Sequence, residues 1–539
     1  MIATKEIEVV KKLIEEANFS QAEILLNEMK IVENNAEIQK LLGVIAFQTN
    51  RYKEAVDYFT RAVELQSNDG YLQHNLGLTY KVLGSIEKAK VAFKRAAKYQ
   101  TDFADPLNQL GLIFKREGLI VHAEKVFLQA IRRNHHYPEA HYNLAVLLEE
   151  LGRVSEAQKH YELALIGKPD YIQAINNLGT ILAESGDYED AEKLYREGII
   201  ISPTTPELHC SLGLCLSLQG RYSEAVGQFH TAVKLAPNFV ENRWNLGFLQ
   251  LAMGELGEGW GNYRYRHTVD RKKLRLPKER LPLILKGKTL HVSAEQGLGD
   301  QIFFSRFFPE LRKRGATIKF QPDPKIKCLF RRVRGIVVAD NIEPDFSIAD
   351  LPYLTGSSEV IASISLEPKE QIRTKILNKL ADCGPPPYIG ITYQAGGVHS
   401  STLFKRAPTR QIGLVLREIS ATIISVQRNP RLDELTEVEL FAERDVFDFS
   451  SLNENLEEAL ALMAILDDYI GVSNTNMHLR AAVGKPAKVL VTHPGEFRWQ
   501  VIGDISPWFP NFKLYRQDAD SDWEQAFVEL KLDLRDQYG

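Results

Sequence analysis

The sequence predicts an α-solenoid of stacked helix pairs, followed by an α/β region with two doubly wound domains that face each other. Residue classes recur every 34 residues through the first half, which indicates stacked supersecondary units. From Thr289 onward, short apolar segments alternate with helix-sized segments, which is typical of βαβ units around a parallel sheet. The chain has 539 residues, whereas a single core stops growing at about 250–300 residues, so several folded units are expected.

The 34-residue period is carried by small and aromatic residues that keep one phase. Each period has an alanine, an aromatic residue four positions later, and a glycine or alanine twelve positions before. These residues are Ala55, Ala89, Ala123, Ala157, Ala191 and Ala225; Phe59, Phe93, Phe127, Tyr161, Tyr195 and Phe229; Gly43, Gly77, Gly111, Ala145, Gly179 and Gly213, with Gly247 opening a further period. Small residues let two antiparallel helices approach closely, and we expect the aromatic ring to fill the groove between neighbouring pairs.

This pattern resembles the tetratricopeptide repeat. Six good repeats run from about residue 36 to residue 239, with a degenerate unit at 4–33 before them and a partial unit after them. Proline closes three of the units, because it cannot continue a helix. The resemblance implies a superhelix over residues 1–267, with a long concave face that binds an extended peptide or a partner protein.

Amide side chains recur two positions before the repeat glycine. The residues there are Asn75, Gln109, Asn143, Asn177, Ser211 and Asn245. An amide can both donate to and accept from a peptide backbone. These positions resemble the asparagine ladder on the inner face of the protein O-GlcNAc transferase superhelix, which implies that the four asparagines bind an acceptor peptide. The alternative is that asparagine is simply common at this position of the repeat.

The residue pattern of the sequence changes after the repeats. A basic, proline-bearing connector covers residues 268–288. Seven strands are predicted beyond it: TLHVSAE, ATIKF, GIVVA, YIGITYQ, ATIISVQ, DYIGVS and AKVLVTH. The segment GPPPYIG predicts a joint between an N-terminal domain at 289–384 and a C-terminal domain at 385–539. Two facing domains of this kind leave a cleft at the carboxyl ends of their strands, where ligands bind.

Two of the strand ends run into glycines with charged residues nearby. In EQGLGD, the first strand ends at Glu295, Gly297 and Gly299 form a tight turn, and Asp300 opens a helix. Backbone N–H groups at such a turn can approach a ligand, and the helix start favours an anion. The alternative is an ordinary turn in which Asp300 caps the helix.

A second glycine pair, Gly396 and Gly397, precedes Lys405 and Arg406. Ammonium and guanidinium groups both pair with phosphate oxygens, so this segment is a candidate phosphate-binding loop. The alternative is a solvated basic loop.

A third segment follows the strand that ends at Val472. The polar turn Ser473, Asn474 and Thr475 opens a helix that carries His478. Hydroxyl and amide groups at a helix start, together with free N–H groups, can hold an anion. The alternative is a capped core helix with a buried histidine.

The order of these motifs resembles the glycosyltransferase domains of bacterial tetratricopeptide proteins, which are related to the heptosyltransferase family of GT-B glycosyltransferases. The motifs EQGLGD and MHLRAAVGKP carry most of the resemblance, which spans almost the whole C-terminal half. It implies a GT-B fold of two Rossmann-like domains. It also implies that Asp300 occupies the position of the catalytic base. The family motif aspartate–threonine–x–x–x–histidine aligns with Ser473, Asn474 and His478, so only the histidine is kept.

The function that follows is an inverting, metal-independent glycosyltransferase that moves a sugar from a nucleotide-activated donor to a protein or peptide. Asp300, or Glu295 nearby, is expected to act as the base. The residues expected to bind the donor are Gly297, Gly299, Lys405, Arg406, Gln427, Ser473, Asn474, Thr475 and His478, with Arg428 beside them. No metal and no cofactor besides the nucleotide-sugar substrate is expected, because no DxD-type motif stands between strands. The alternative is a non-enzymatic interaction scaffold that retains a decayed transferase domain.

Composition excludes several other classes. The net charge is only −4, so a dominant nucleic-acid footprint is not expected. The chain lacks an apolar run of about 18 residues, so no membrane span is expected, and its first residues lack the apolar core of a signal peptide. The four cysteines form no CxxC pair, which favours a reducing cytoplasm.

Overall fold

A computed structural model describes residues 2–29, 34–266, 276–277, 279–395 and 405–539. The predicted glycine pair Gly396 and Gly397 lies outside the described residues, as does much of the predicted connector. The chain divides into two compact units, Met1–Pro203 and Thr204–Gly539. The division comes before the end of the repeats, so the last two helix pairs belong to the same unit as the α/β half. The sequence-based limits at 267, 288 and 384 stay predictions.

The repeats form successive pairs of helices. In the first unit these are α1 Ile2–Glu15, α2 Phe19–Glu28, α3 Ala36–Gln48, α4 Tyr52–Leu65, α5 Gly70–Val82, α6 Ile86–Tyr99, α7 Asp105–Arg116, α8 Ile120–Arg133, α9 Pro138–Glu150, α10 Val154–Gly167, α11 Ile172–Ser185 and α12 Tyr188–Ile201. In the second unit they are α13 Pro206–Leu218, α14 Tyr222–Leu235, α15 Val240–Ala252 and α16 Leu256–Tyr263. Side-chain caps fix some of the helix starts: Asp69, for example, accepts hydrogen bonds from the amides of Tyr71 and Leu72 at 2.8 and 3.1 Å.

The repeat aromatic packs against the glycine of its own helix pair. A Cβ placed on Gly111 would lie 2.3 Å from the ring of Phe127, and one on Gly43 would lie 2.7 Å from the ring of Phe59. Phe59 also packs with Leu76 of the next repeat, so the ring contacts the groove between pairs as well. The close contact within the pair explains the glycine, because any side chain would displace the ring.

The C-terminal half is built around two sheets. Its strands are β1 Thr289–Ser293, β2 Thr317–Gln321, β3 Ile336–Val338, β4 Phe346–Ser347, β5 Tyr388–Thr392, β6 Gln394–Ala395, β7 Lys405–Arg406, β8 Thr422–Ser425, β9 Val446–Asp448, β10 Asp468–Val472, β11 Ala487–Val491, β12 Ile505–Ser506 and β13 Phe509–Arg516. The first sheet has the order β3-β2-β1-β4 and is parallel. The second has the order β12-β13-β11-β10-β5-β8-β9 and is parallel except for β12. Strands β6 and β7 form a separate antiparallel pair.

Helices connect these strands. They are α17 Leu298–Phe304, α18 Phe308–Lys313, α19 Lys327–Phe330, α20 Leu351–Thr355, α21 Glu370–Ala381, α22 Thr409–Leu416, α23 Leu432–Ala442, α24 Leu456–Ile465, α25 Thr475–Ala482 and α26 Glu524–Tyr538. The helices and the parallel sheets confirm the α/β architecture predicted for this half. None of the helices in the described ranges is long and apolar enough to cross a bilayer.

All seven predicted strands are present. Strands β4, β6, β7, β9, β12 and β13 were not predicted. Strands β4, β6, β7 and β12 have two residues each, too few to show a periodic pattern. Strand β13 follows directly on a tryptophan and contains Pro510, which favours a turn in a sequence pattern.

The last repeat helices pack into the core of the α/β half. Trp260 of α16 lies edge-on to Phe304, Phe497 and Trp508, with ring centroids 6.1, 5.5 and 6.0 Å away. The backbone also joins the two parts, since the amide of Val501 donates to the carbonyl of Ala252 at 2.9 Å. The buried indole explains why the compact unit includes α13 to α16.

We predict that Gly247→Ala destabilises this unit, because a Cβ there would lie 2.3 Å from the backbone nitrogen of Tyr263. The backbone cannot move aside as a side chain can, so overpacking should cost about 1–3 kcal/mol. The midpoint of thermal denaturation measures the effect. The control is Gly227→Ala, on an exposed helical face where a Cβ has nothing within 4 Å. Equal midpoints for the two variants would contradict the close packing of α15 on α16.

Candidate functional site

The loop after β1 places Asp300 at the carboxyl end of the first sheet. Gln296 adopts a left-handed conformation with φ of 62°, which turns the chain sharply into α17. The amide of Gly297 donates to Asp300 Oδ2 at 3.0 Å, so Asp300 also caps the start of this helix, as the alternative interpretation expected. The Asp300 side chain remains 24% exposed. Asp300 Oδ2 therefore caps the helix, while Oδ1 faces the second sheet.

Glu295, five residues earlier, is held in a buried ion pair. Arg266 Nε donates to Glu295 Oε1 at 2.9 Å, and Glu295 Oε2 accepts from Arg266 Nη2 and from the Ser347 hydroxyl. Arg266 also pairs with Asp350 at 3.0 Å, and both of these side chains are 1% exposed. Burial alone would lower the pKa of Arg266, but Asp350 and Glu295 outweigh it and raise that pKa. The Glu295 carboxylate thus anchors the loop to Arg266, whereas Asp300 Oδ1 faces the second sheet.

A second contact ties the same loop to the last repeat helix. Gln296 Nε2 donates to the Tyr263 hydroxyl at 3.2 Å. Tyr263 ends α16, and Arg266 follows it by three residues. The loop that carries Asp300 is therefore held by the carboxyl end of the repeat array.

An ion-pair cluster of Asp300, Lys405, Glu496 and Arg498 joins the two sheets. Arg498 Nη2 donates to Asp300 Oδ1, and Arg498 Nη1 lies 3.6 Å from Glu496 Oε2. Lys405 donates to Glu496 Oε1. Glu496 and Arg498 follow β11, whereas Asp300 follows β1, so residues from strand ends of both sheets meet here.

Arg498 and Glu496 shape the electrostatics of this cluster. Arg498 is 5% exposed, and its guanidinium lies 4.7 Å above the ring of Phe303. Burial lowers the pKa of Arg498, but Asp300 and Glu496 outweigh it, so the pKa is raised. Burial would raise the pKa of Glu496, but Lys405 and Arg498 hold it down at about 2. Glu496 and Arg498 are therefore both charged at neutral pH.

Sequence reasoning did not identify Glu496 or Arg498 as site residues. They lie in HPGEFRW, shortly after the end of β11. Two charged residues among aromatic residues just beyond a parallel strand are a signal that could have pointed to them.

His478 of α25 packs directly on the glycine turn of the first sheet. A Cβ on Gly299 would lie 2.6 Å from His478 Cδ2, so only glycine fits there. The imidazole is also enclosed by Phe303 and Phe509, with centroids 6.1 and 5.6 Å away. Burial first, and Arg498 second, hold the pKa of His478 well below its usual range, so the ring is neutral. Its buried Nδ1 has no hydrogen-bond partner among the described residues.

The polar turn before α25 is used mainly by the protein itself. Ser473 Oγ donates to Glu496 Oε2 at 2.6 Å. Asn474 is the N-cap: its Oδ1 accepts from the amide of Met477 at 3.1 Å, and its Nδ2 donates to the Tyr469 hydroxyl at 3.1 Å. Thr475 begins the helix and is half-buried. Ser473 thus lies in the ion-pair cluster, whereas Asn474 acts as a cap.

Two other predicted donor-binding residues have local partners. Gln427 accepts from the amides of Tyr393 and Gln394 at 3.1 and 2.9 Å, and donates to the carbonyls of Gln394 and Arg428 at 3.1 Å. Its amide therefore joins the ends of β5 and β8. Arg406 Nη2 donates to Glu434 Oε1 at 3.1 Å, outside the ion-pair cluster.

The predicted ladder asparagines are half-buried on the first helix of their repeats. Asn143 Nδ2 donates to Asn108 Oδ1 at 2.9 Å, and Asn177 Nδ2 donates to the Tyr161 hydroxyl at 3.0 Å, which links neighbouring repeats. In the second unit, Asn245 Nδ2 lies 3.4 Å from Cys210 Sγ. Asn177 also hydrogen-bonds the Tyr142 side chain. An amide carries two N–H donors and a carbonyl acceptor, so these side chains have the groups that a peptide backbone would pair with. Asn75 occupies the same position on α5.

Within the ranges that the structure describes, no group of three or more His, Cys, Asp or Glu side chains is arranged to hold a metal ion. Phosphate contacts in this region would come from the hydroxyl, ammonium and guanidinium groups named above.

Comparison with known families identifies the repeats. Models of the tetratricopeptide repeat match residues 36–69, 71–103, 108–172, 172–202 and 206–239. The predicted repeats are thereby confirmed, and the N-terminal half is a tetratricopeptide-repeat solenoid. Solenoids of this kind serve as scaffolds for protein interactions.

Protein FlbA of Caulobacter vibrioides is 24% identical to this chain over 318 residues, covering 52% of each protein. The chain thus spans about half the length of this curated relative. Two solved structures are also similar. The APC/C hetero-tetramer Cut9-Hcn1 matches 44% of this chain and 47% of that chain at 18% identity, with a TM-score of 0.37. YrrB, described as a TPR protein with an unusual peptide-binding site, matches 34% of this chain and 95% of that chain at 17% identity, with a TM-score of 0.30.

We predict that Arg266→Leu destabilises the protein by about 3–5 kcal/mol, because it leaves two buried carboxylates without their counter-charge. The midpoint of thermal denaturation should fall, and the amides of residues 295–300 should exchange faster with deuterium. The matched control is Arg417→Leu, which breaks an ion pair with Glu443 whose side chains are 45% and 67% exposed. That variant should lose less than about 1 kcal/mol. Similar losses in both variants would contradict the anchoring role of Arg266.

Proposed function

We propose that this protein is an inverting glycosyltransferase of GT-B type, which moves a sugar from a nucleotide-activated donor to a hydroxyl of a protein or peptide. One observation carries the proposal: at the strand ends, a carboxylate that follows the first sheet meets a hydroxyl and a guanidinium from the loops of the second sheet and an ammonium from the β6–β7 pair. Asp300 supplies the carboxylate, and Ser473, Lys405 and Arg498 supply the other groups. A base and an anion site side by side are what transfer from a nucleotide sugar requires.

Asp300 is the base in this proposal. It takes the proton from the acceptor hydroxyl as the oxygen attacks the anomeric carbon, and the bond to the diphosphate breaks on the opposite face. Glu295 is 11% exposed and pairs with the buried Arg266, whereas Asp300 is 24% exposed and lies beside the cations, so the role of Glu295 in this proposal is to hold the loop. Gly299 allows the loop to lie against His478, which positions Asp300 beside the second sheet.

In this proposal, the cations and the hydroxyl of the cluster stabilise the leaving diphosphate. Lys405 and Arg498 provide positive charge, Ser473 a hydroxyl, and Thr475 and the first amides of α25 the helix start. Neutral His478, enclosed by aromatic rings, can hydrogen-bond a sugar hydroxyl or a phosphate oxygen through a ring nitrogen. Arg406 and Arg428 belong to the C-terminal region, to which this proposal assigns the nucleotide.

The acceptor in this proposal is a protein or peptide bound along the repeats. The support is the array of half-buried amides on the first helices, together with the solenoid fold. A specific observation favours a second candidate, an interaction scaffold without transferase activity: Ser473 and Asn474 are both used in contacts within the protein.

We predict that Asp300→Asn lowers sugar transfer at least about 100-fold, because the acceptor proton loses its base, while the KM for the donor does not rise. The assay supplies a panel of nucleotide sugars and candidate acceptor proteins, and follows the intact mass of the acceptors. The control is Asp340→Asn, whose carboxylate is 67% exposed and pairs with Lys327 at the surface. A folded Asp300→Asn variant with full activity would remove Asp300 from the role of base. If no nucleotide sugar is used and no nucleoside diphosphate raises the melting temperature, the scaffold is the correct candidate.

We also predict that Asn143→Ala combined with Asn177→Ala weakens acceptor use. Losing two backbone-directed hydrogen bonds should raise the KM for the acceptor on the order of tenfold, with donor hydrolysis unchanged. The control is Gln158→Ala, an amide on the second helix of its pair whose Nε2 bonds Glu162 at 3.0 Å. An unchanged KM in the double variant would favour the alternative that asparagine is merely typical of this repeat position.

A further inference from the structure

The carboxylate of Glu496 occupies a position built for an anion. Two donors and a second cation converge on it: the Ser473 hydroxyl donates at 2.6 Å, the Lys405 ammonium also donates, and the Arg498 guanidinium forms an ion pair at 3.6 Å. Ser473 also leads into α25, an eight-residue helix whose start favours negative charge. Hydroxyl, ammonium, guanidinium and helix amides are the groups that proteins use for phosphate.

The charges of the cluster are balanced without any ligand. Lys405 and Arg498 contribute two positive charges, and Asp300 and Glu496 contribute two negative ones. A diphosphate that entered beside both carboxylates would bring further negative charge to the same two cations. Like charges a few ångströms apart in a partly buried site repel strongly. One carboxylate must therefore give up its cations when a diphosphate binds.

Glu496 is the carboxylate that can leave, because its contacts in the cluster are to the side chains of Ser473, Lys405 and Arg498. It lies in the half-buried stretch of residues 492–496. Arg498, two residues further on, is fixed between the rings of Phe303 and Phe497, each 4.7 Å away. Asp300 is held by the amide of Gly297 and by Arg498. Rotation of Glu496 toward solvent would expose the cations without disturbing the aromatic core.

We propose that Glu496 is a built-in competitor for the diphosphate site: its carboxylate occupies the site in the free protein and is displaced when a diphosphate group binds. The identification of the ligand as a diphosphate rests on the proposed function. Competition of this kind weakens binding and speeds release of the diphosphate product, because Glu496 re-occupies the cations as the product departs. Glu496 acts on affinity in this inference and takes no part in the bond-making step.

The test is a calorimetric titration of the full chain with inorganic pyrophosphate at fixed ionic strength. Glu496→Gln removes the competing charge, so pyrophosphate should bind on the order of tenfold more tightly than to the unaltered protein. The control is Glu418→Gln, which makes the same change in net charge at a surface pair with Lys531 and should leave the affinity unchanged. Weaker or equal binding of pyrophosphate to Glu496→Gln would overturn the inference. A failure of pyrophosphate to bind both the unaltered protein and Glu496→Gln would also overturn it.

Two further measurements keep the inference testable if Glu496→Gln does not fold. Glu496→Asp retains the charge on a shorter side chain that reaches the cations less well, so it should bind pyrophosphate with intermediate affinity. In the unaltered protein, saturating pyrophosphate should speed deuterium exchange in residues 492–496, since the segment is released; slower exchange would contradict displacement. Tighter pyrophosphate binding without any sugar transfer would support the competitor and reject the proposed reaction. Sugar transfer with unchanged pyrophosphate affinity would do the reverse.

Discussion

The buried guanidinium of Arg498 is the constraint on which the arrangement of the candidate site depends. It lies against Phe303 and is almost fully buried, so its charge has to be balanced by carboxylates that are also partly removed from water. Asp300 comes from the end of β1 and Glu496 from the loop after β11. Because one cation needs both, the strand ends of the two sheets are brought together, and Lys405 and Ser473 are recruited through Glu496. The cluster is thus a consequence of burying one positive charge at a junction of two sheets.

The loop that carries Asp300 is also held by residues at the end of the repeats. Arg266 and Tyr263, at the end of the repeats, hold Glu295 and Gln296. Gly299 is pressed against His478 on the other side. A loop held at both ends in this way keeps its carboxylate in place without a ligand, which lowers the cost of organising a reactive geometry. Any reaction at this site would therefore depend on residues outside the α/β half as well as within it.

The periodic parts of the molecule could be predicted from the sequence, because the residues that contact each other there are close together in the chain. A repeat glycine and its aromatic partner lie sixteen residues apart and recur in phase, so Gly111 and Phe127 reveal their contact by pattern alone. The seven predicted strands are likewise visible as apolar runs, whereas β13, with eight residues, is not. The ion pairs are not, because each joins residues far apart in the chain: Arg266 lies 29 residues from Glu295, and Arg498 lies 198 residues from Asp300. Sequence reasoning could place Asp300 and Glu295 on one loop, but only the packed structure shows that one faces the second sheet and the other is anchored.

The burial of Trp260 bears on how a repeat array of this kind can change in length. Helix pairs in a solenoid contact mainly their neighbours, so insertion or loss of a whole repeat is ordinarily tolerated anywhere along the stack. Here the final pair inserts its indole among Phe304, Phe497 and Trp508, and so completes the core of a different architecture. A whole repeat could therefore be inserted or removed before α13 without altering this core, whereas loss of the final pair would leave a hole among Phe304, Phe497 and Trp508.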